Sequence, residues 1–126
     1  MTVQTEPSRI DRFLHDVRRG AARIEPAELA AAMADGALVV DIRPESDRRA
    51  DGDLPGALVI ERIHLEWRLD PSSDHRLPGA TADRRVIVVC NEGYASSLAA
   101  AAVRHLGVPR ATDLAGGFRA WRKEQP

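Results

Sequence analysis

The stretch that decides the fold is "VIVVCNEGYASSLAAAAVRHLG", residues 86–107. It opens on four apolar β-branched residues, the mark of a strand buried on both faces. Cys90, the chain's one cysteine, follows directly. Gly93 comes next, and then Ser96 and Ser97 lead into an alanine-rich run at helical spacing. Strand, short loop and helix together put Cys90 at the carboxyl end of a strand, where open parallel sheets bind ligands. Gly93 gives the loop the backbone freedom of a tight turn. Ser96 or Ser97 is expected to cap the helix. Loop N–H groups turned inward, with the positive end of the helix behind them, favour an anion. The thiolate is the reactive form of cysteine, so this setting suits a nucleophile. The competing reading is an inert thiol, because free cysteine is among the most buried residue types. The strand–Cys–x–x–Gly–helix order favours the nucleophile.

Outward from this stretch, strands and helices alternate. Towards the N-terminus, "ALVVDI" (37–42) is a second continuous apolar run and reads as a buried strand. Before it, "ARIEPAELAAAMADG" (22–36) reads as a short strand and a helix, with Pro26 in the first turn and Gly36 at the stop. "RPESDRRADGDLPG" (43–56) is polar and rich in turn formers, a connection with room for one helical turn. "ALVI" (57–60) is a third strand, and "RIHLEWRLD" (62–70) a short helix before a turn-rich loop. After residue 107, "ATDLAGG" (111–117) gives a last strand and turn, and "FRAWRKE" (118–124) a last helix with Phe118 and Trp121 on one face. This alternation implies a mainly parallel sheet covered on both sides. Residues 1–8 read as a loose tail. From Ser8, a capping candidate, Ile10, Phe13, Leu14 and Val17 fall at helical spacing up to Gly20. The expected element is an amphipathic helix packed on the domain. A membrane-surface or partner helix is the alternative, and Asp11 and Asp16 on its polar face oppose lipid.

Composition narrows the function. With 126 residues the chain is one domain's worth. A net charge of −1 and 4% aromatic residues give no footing for nucleic-acid binding. No apolar run approaches the roughly 18 residues of a membrane span. The N-terminus has no hydrophobic signal core, and a single cysteine fits a reducing compartment, so the expected location is cytoplasmic. Arginine outnumbers lysine 17 to 1 beside abundant alanine, as in proteins from GC-rich bacterial genomes. His15, His64, His75 and His105 are scattered, with no Cys/His spacing for zinc. Having no second cysteine, an oxidised chain is expected to form disulfides between molecules.

Four segments, in order, resemble the rhodanese domain. "VVDIRP" (39–44) resembles its Asp-x-Arg strand. "DGDLPGA" (51–57) resembles its Gly-His-Ile-Pro-Gly-Ala turn, with Asp53 where histidine is usual. "VIVVCNEGYASS" (86–97) resembles its active-site strand and loop, and "LAGGFRAW" (114–121) its closing Gly-Gly-x-x-x-Trp segment. The resemblance spans roughly 21–124. It implies a three-layer α/β/α fold around a mainly parallel sheet of about five strands, as a domain over 21–126 preceded by the tail and helix of 1–20. It implies a sulfurtransferase that carries sulfur as a Cys90 persulfide from a small donor such as thiosulfate to cyanide or a thiol. A protein persulfide partner is a further option, and no metal or organic cofactor is implied. The catalytic residue would be Cys90. Asn91, Glu92, Gly93, Tyr94, Ala95 and Ser96 would cradle the persulfide and the anionic transition state, with Arg43 bracing a neighbouring acidic side chain or the edge of the site. Asp41 would anchor structure. Two departures bear on the donor. Ala95 occupies a position where family loops often carry arginine, and Glu92 adds a negative charge to the loop. A low-turnover sulfur carrier or protein-interaction module therefore stands as the alternative. Phosphatases that share the fold need an arginine six residues after the cysteine, where this chain has Ser96.

Overall fold

The computed structural model describes residues 6–126. Four strands form one parallel sheet in the order β2-β1-β3-β4: β1 (Leu38–Asp41), β2 (Leu58–Val59), β3 (Val86–Val89) and β4 (Ala111–Asp113). Among the described residues six helices accompany them: α1 (Arg9–Arg18), α2 (Leu29–Ala34), α3 (Glu45–Asp51), α4 (Leu65–Leu69), α5 (Ala95–His105) and α6 (Gly117–Lys123). Short 3₁₀ turns, Pro26–Glu28 and Arg62–His64, lead into α2 and α4.

The two-residue period of β3 divides the core. Val86 and Val88, with Cys90 beyond them, face α4 and α5, packing with Leu65, Leu69, Ala99, Ala100 and Val103. Ile87 and Val89 face the other side, packing with Leu29, Ala32, Leu114 and Phe118 from the regions of α2 and α6. All four side chains of β3 are buried, which is why its sequence is an unbroken apolar run. The alanines of α5 let that helix lie close against the sheet.

The sheet has four strands, fewer than the expected five or so. The segment before α2 contributes a single bridge, Ile24 to Leu114, because Pro26 removes the next donor and turns the chain into a 3₁₀ turn. Residues 43–56, read as a connection with room for one helical turn, contain α3 over seven residues, none of them buried. In α1, Ser8 Oγ accepts the Asp11 N–H at 3.1 Å, and the helix packs on α5. Only Leu14 of its apolar set is buried, while Ile10 and Phe13 stay exposed. The tail expected over residues 1–8 lies outside the described residues for its first five positions.

The chain reverses its winding between β1 and β3. From β1 it passes to α3 and β2 on one side, and from β3 to α5 and β4 on the other. The carboxyl ends of those two central strands therefore leave a crevice between diverging connections, the usual ligand position in open α/β sheets. Asp41 pairs with Val89 across them, so Arg43 and Cys90 emerge side by side at this edge.

Candidate active site

The crevice holds a cavity of about 420 Å³. Ile42, Arg43 and Pro44 from the end of β1 line one side, and Cys90, Asn91, Glu92, Tyr94 and Ala95 from the end of β3 the other. Asp47 and Arg62 complete it. Cys90 lies on its floor, 8% exposed.

The loop after Cys90 is shaped by where its carbonyls go. Cys90 C=O accepts the Phe118 N–H at 2.8 Å, and Asn91 C=O accepts the Arg119 N–H at 3.0 Å. Both donors belong to the first turn of α6, where N–H groups lack intrahelical partners. Gly93 C=O accepts Arg18 Nη2 at 2.8 Å and Arg23 Nη2 at 2.9 Å. With these carbonyls turned outward, N–H groups turn inward. Gly93 N–H and Ser96 N–H donate to Cys90 Sγ at 3.2 and 3.3 Å. Gly93 sits at φ +84°, and a Cβ there would meet the Gly116 backbone nitrogen at 2.7 Å. Only glycine fits both its conformation and that approach.

Ser96 and Ser97 are not side-chain caps. Tyr94 is the N-cap residue of α5 and makes no side-chain capping bond. Both serine hydroxyls instead donate to Asp113 Oδ2, at 2.7 and 2.9 Å. Asp113 is buried at the end of β4 and also accepts a two-pronged contact from Arg23, at 2.9 and 3.1 Å. The hydroxyl of Ser96 is thus committed behind the loop, and its backbone N–H is what faces the sulfur.

Arg43 is fully buried, as is Asp41 beside it. Its guanidinium meets both carboxylate oxygens of Asp41, the shortest contact being 2.8 Å, and donates to Gly52 C=O at 2.9 Å. It lies 3.8 Å over the Phe118 ring. Nη1 has no hydrogen-bond partner, and the aromatic face offsets part of that loss. The Arg43 charge is neutralised within the fold, a bracing arrangement in which it joins β1 to the α3 turn. Glu92 is half-exposed and pairs with Arg119 at 2.5 Å. Its charge is balanced there, so the expected repulsion of an anion is reduced. Tyr94 and Ala95 stand exposed at the rim, and Asn91 is half-buried with its Oδ1 buried and unpaired.

The structure thus gathers Cys90, Asn91, Glu92, Tyr94 and Ala95 around one cavity with Arg43 at its edge, while Gly93 and Ser96 reach Cys90 Sγ through their backbone N–H groups. Sequence reading missed Arg18, Arg23 and Asp113. The two arginines act across 75 and 70 residues of chain, and their only sequence mark is an arginine-rich segment. Among the described residues no group of three or more His, Cys, Asp or Glu side chains could hold a metal ion, and no helix is long and apolar enough to cross a membrane.

Comparison with known proteins fits this geometry. Residues 25–124 match the Rhodanese-like domain family. A thiosulfate sulfurtransferase GlpE from Pseudomonas entomophila is 35% identical over 104 residues, covering 82% of this chain and 87% of that protein. A human thiosulfate:glutathione sulfurtransferase is 29% identical, covering 84% and 97%. Among solved structures, a Rhodopseudomonas palustris protein of unknown function, described as a possible tyrosine phosphatase, superposes with a TM-score of 0.81 at 28% identity, covering 98% of this chain and 96% of its own. The human single-domain sulfurtransferase gives 0.67 at 27% identity, covering 82% and 97%. On the strength of a match across most of its length, this chain belongs to the rhodanese-like domain family.

Proposed function

We propose that this protein is a sulfurtransferase that carries sulfane sulfur on Cys90 between a small donor and a thiophilic acceptor. The observation that carries the reading is the pair of backbone N–H groups, from Gly93 and Ser96, aimed at Cys90 Sγ on the floor of the cavity. These donors face the negative charge that sulfur carries during the transfer steps, first at Cys90 and then at the persulfide. The named sulfurtransferases among the relatives support the same reaction class.

With thiosulfate as donor the chemistry balances without a redox partner. The Cys90 thiolate attacks the outer sulfur, a new S–S bond forms, and the old one breaks with its electron pair leaving on sulfite. Cyanide or an acceptor thiolate then attacks the outer sulfur of the persulfide, and the Cys90 thiolate leaves. Loop N–H groups stabilise the negative charge in both displacements. The test is intact-mass spectrometry after exposure to thiosulfate, set beside a cysteine-desulfurase donor. One added sulfur on the wild type and none on Cys90→Ser is the expected result. No added sulfur from either donor overturns the reading.

A second reading is a sulfur carrier or interaction module with little turnover of its own. Ala95 leaves the loop without a cation facing the cavity, Tyr94 is exposed at its rim, and Ile63 and Trp67 are exposed large apolar side chains elsewhere on the surface. Under this reading Cys90 loads sulfur in a single turnover, but steady-state thiocyanate formation from thiosulfate and cyanide is absent. Phosphatase chemistry is disfavoured because a guanidinium must grip the phosphate oxygens directly. Arg18 and Arg23 reach this loop through an outward carbonyl, away from the cavity.

A further inference from the structure

Two guanidiniums and one carboxylate meet behind the active-site loop. Arg23 and Asp113 neutralise each other through their two-pronged contact. Arg18 contacts only neutral groups: Gly93 C=O at 2.8 Å, Ser97 Oγ at 2.9 Å, and the Tyr94 ring, 5.6 Å from its centroid. Among the described residues no carboxylate lies within ion-pair distance of Arg18. Two positive charges and one negative leave a net positive charge against this loop. The other charged groups around the cavity are balanced, Arg43 by Asp41, Glu92 by Arg119 and Arg62 by Glu66, except for Asp47, which sets a negative charge at the mouth.

The same contacts set the backbone. A trans peptide holds its C=O and N–H on opposite sides. Fixing the Gly93 carbonyl towards Arg18 and Arg23 therefore turns the Tyr94 N–H the other way. That N–H makes no protein hydrogen bond among the described residues.

We infer that Arg18, supplied by α1 and outside the stretch that matches the family, is a positioning residue of the active-site loop and the source of its positive potential, taking the part that a loop arginine at Ala95 would otherwise fill. Arg18 works through the Gly93 peptide rather than by touching substrate. The potential it supplies favours negatively charged reactants at Cys90, a dianionic sulfur donor above all. Cys90 as the reacting group comes from the proposed function, but alkylation tests the potential whether or not sulfur is transferred.

The experiment compares the alkylation rates of Cys90 by iodoacetate and iodoacetamide, in the full-length chain at one pH and low salt. The reagents differ in charge and hardly in size, so their ratio reports potential and cancels changes in thiol ionisation or access. Arg18→Gln is expected to lower the iodoacetate-to-iodoacetamide ratio about threefold to tenfold, as removal of one charge several ångströms away at an effective dielectric near 20 implies. Arg18→Lys is expected to stay near the wild-type ratio. Arg18→Met keeps the aliphatic stem beside Tyr94 and is expected to match Arg18→Gln, so the comparison survives if the glutamine variant loosens α1. Arg104→Gln is the control, because Arg104 ties α1 to the domain by donating to Val17 C=O at 2.7 Å without touching the loop. An unchanged ratio in both neutral variants overturns the inference. So does an equal fall in Arg104→Gln, which would reduce Arg18 to a tether for its helix.

Discussion

At the scale of single residues, the loop turns on two positions with little or no side chain. Gly117 sits at φ +66°, and a Cβ there would lie 2.5 Å from Cys90 O and 2.6 Å from Asn91 O. Those oxygens belong to the backbone that carries Cys90, and rotating a side chain cannot relieve the clash. Gly117→Ala is expected to cost about 2–3 kcal/mol, from left-handed strain and displaced backbone together. It should also break the bond from Phe118 N–H to Cys90 C=O. Urea denaturation measures the first effect, and sulfur loading of the folded fraction, which should fall, the second. Ala95 is the other position. Its side chain is exposed and lines the cavity, so an arginine there has room to face a bound anion. Ala95→Arg is expected to raise kcat/KM for thiosulfate about threefold to tenfold, since one unit charge at 6–8 Å and a dielectric near 20 gives roughly 2 kcal/mol before solvent screening. Steady-state sulfite release checks this, and an unchanged value in a folded variant would show that a cavity-facing cation does not limit turnover.

At the scale of elements, Asp113 holds three pieces of chain in register. It ends β4, takes two hydroxyls from α5 and pairs with Arg23 from the segment before α2. Removing its carboxylate leaves a partly buried guanidinium without its counter-charge, the buried Ser96 hydroxyl without its acceptor, and the Ser97 hydroxyl with only a 3.4 Å contact to Gly93 C=O. Asp113→Ala is therefore expected to cost about 3–5 kcal/mol, the range for breaking a buried ion pair from one side. Ser97→Ala removes one of several donors and is expected to cost about 1 kcal/mol. Chemical denaturation of the two variants measures the difference. This network also marks the limit of what the sequence discloses. β3 and α5 are legible because burial writes itself into composition, as an apolar run and an alanine-rich helix. The position of Cys90 is legible because a strand end followed by Cys-x-x-Gly leaves few conformations. Ser96 and Ser97 read equally well as caps or as donors to a distant carboxylate, and only the tertiary fold brings Asp113 to them. α3 was illegible for another reason: with no buried residue it has no apolar period, and it rests on Glu45 and Asp47 in its first turn and a 2.8 Å Glu45–Arg49 pair. In α1 the apolar spacing is real, but it cannot say that Leu14 finds a partner while Ile10 and Phe13 do not.

At the scale of the whole molecule, the parallel sheet puts Cys90 at the bottom of a crevice, and that depth decides what can react with it. A count of one cysteine leads to the expectation that oxidation links two molecules. The low exposure of Cys90 argues the other way. A disulfide requires the two Cα atoms to approach within about 7 Å. Cys90 is 8% exposed, and Glu92, Tyr94 and Ala95 stand above it at the rim. Bringing two such cysteines together would require the rim residues of both loops to move aside. A small thiol can enter the cavity, and a persulfide carries its outer sulfur about 2 Å closer to the mouth than the thiol it sits on. Mild oxidation with diamide alone is therefore expected to leave the protein monomeric on a non-reducing gel. Addition of glutathione should yield a mixed disulfide at Cys90 by intact mass, absent in Cys90→Ser. A covalent dimer that forms in native buffer and disappears in Cys90→Ser would mean that the loop opens far enough to expose its sulfur, and a protein acceptor could then meet the thiol itself. A monomer that takes up only small thiols restricts direct exchange with proteins to partners able to insert a narrow segment into the crevice.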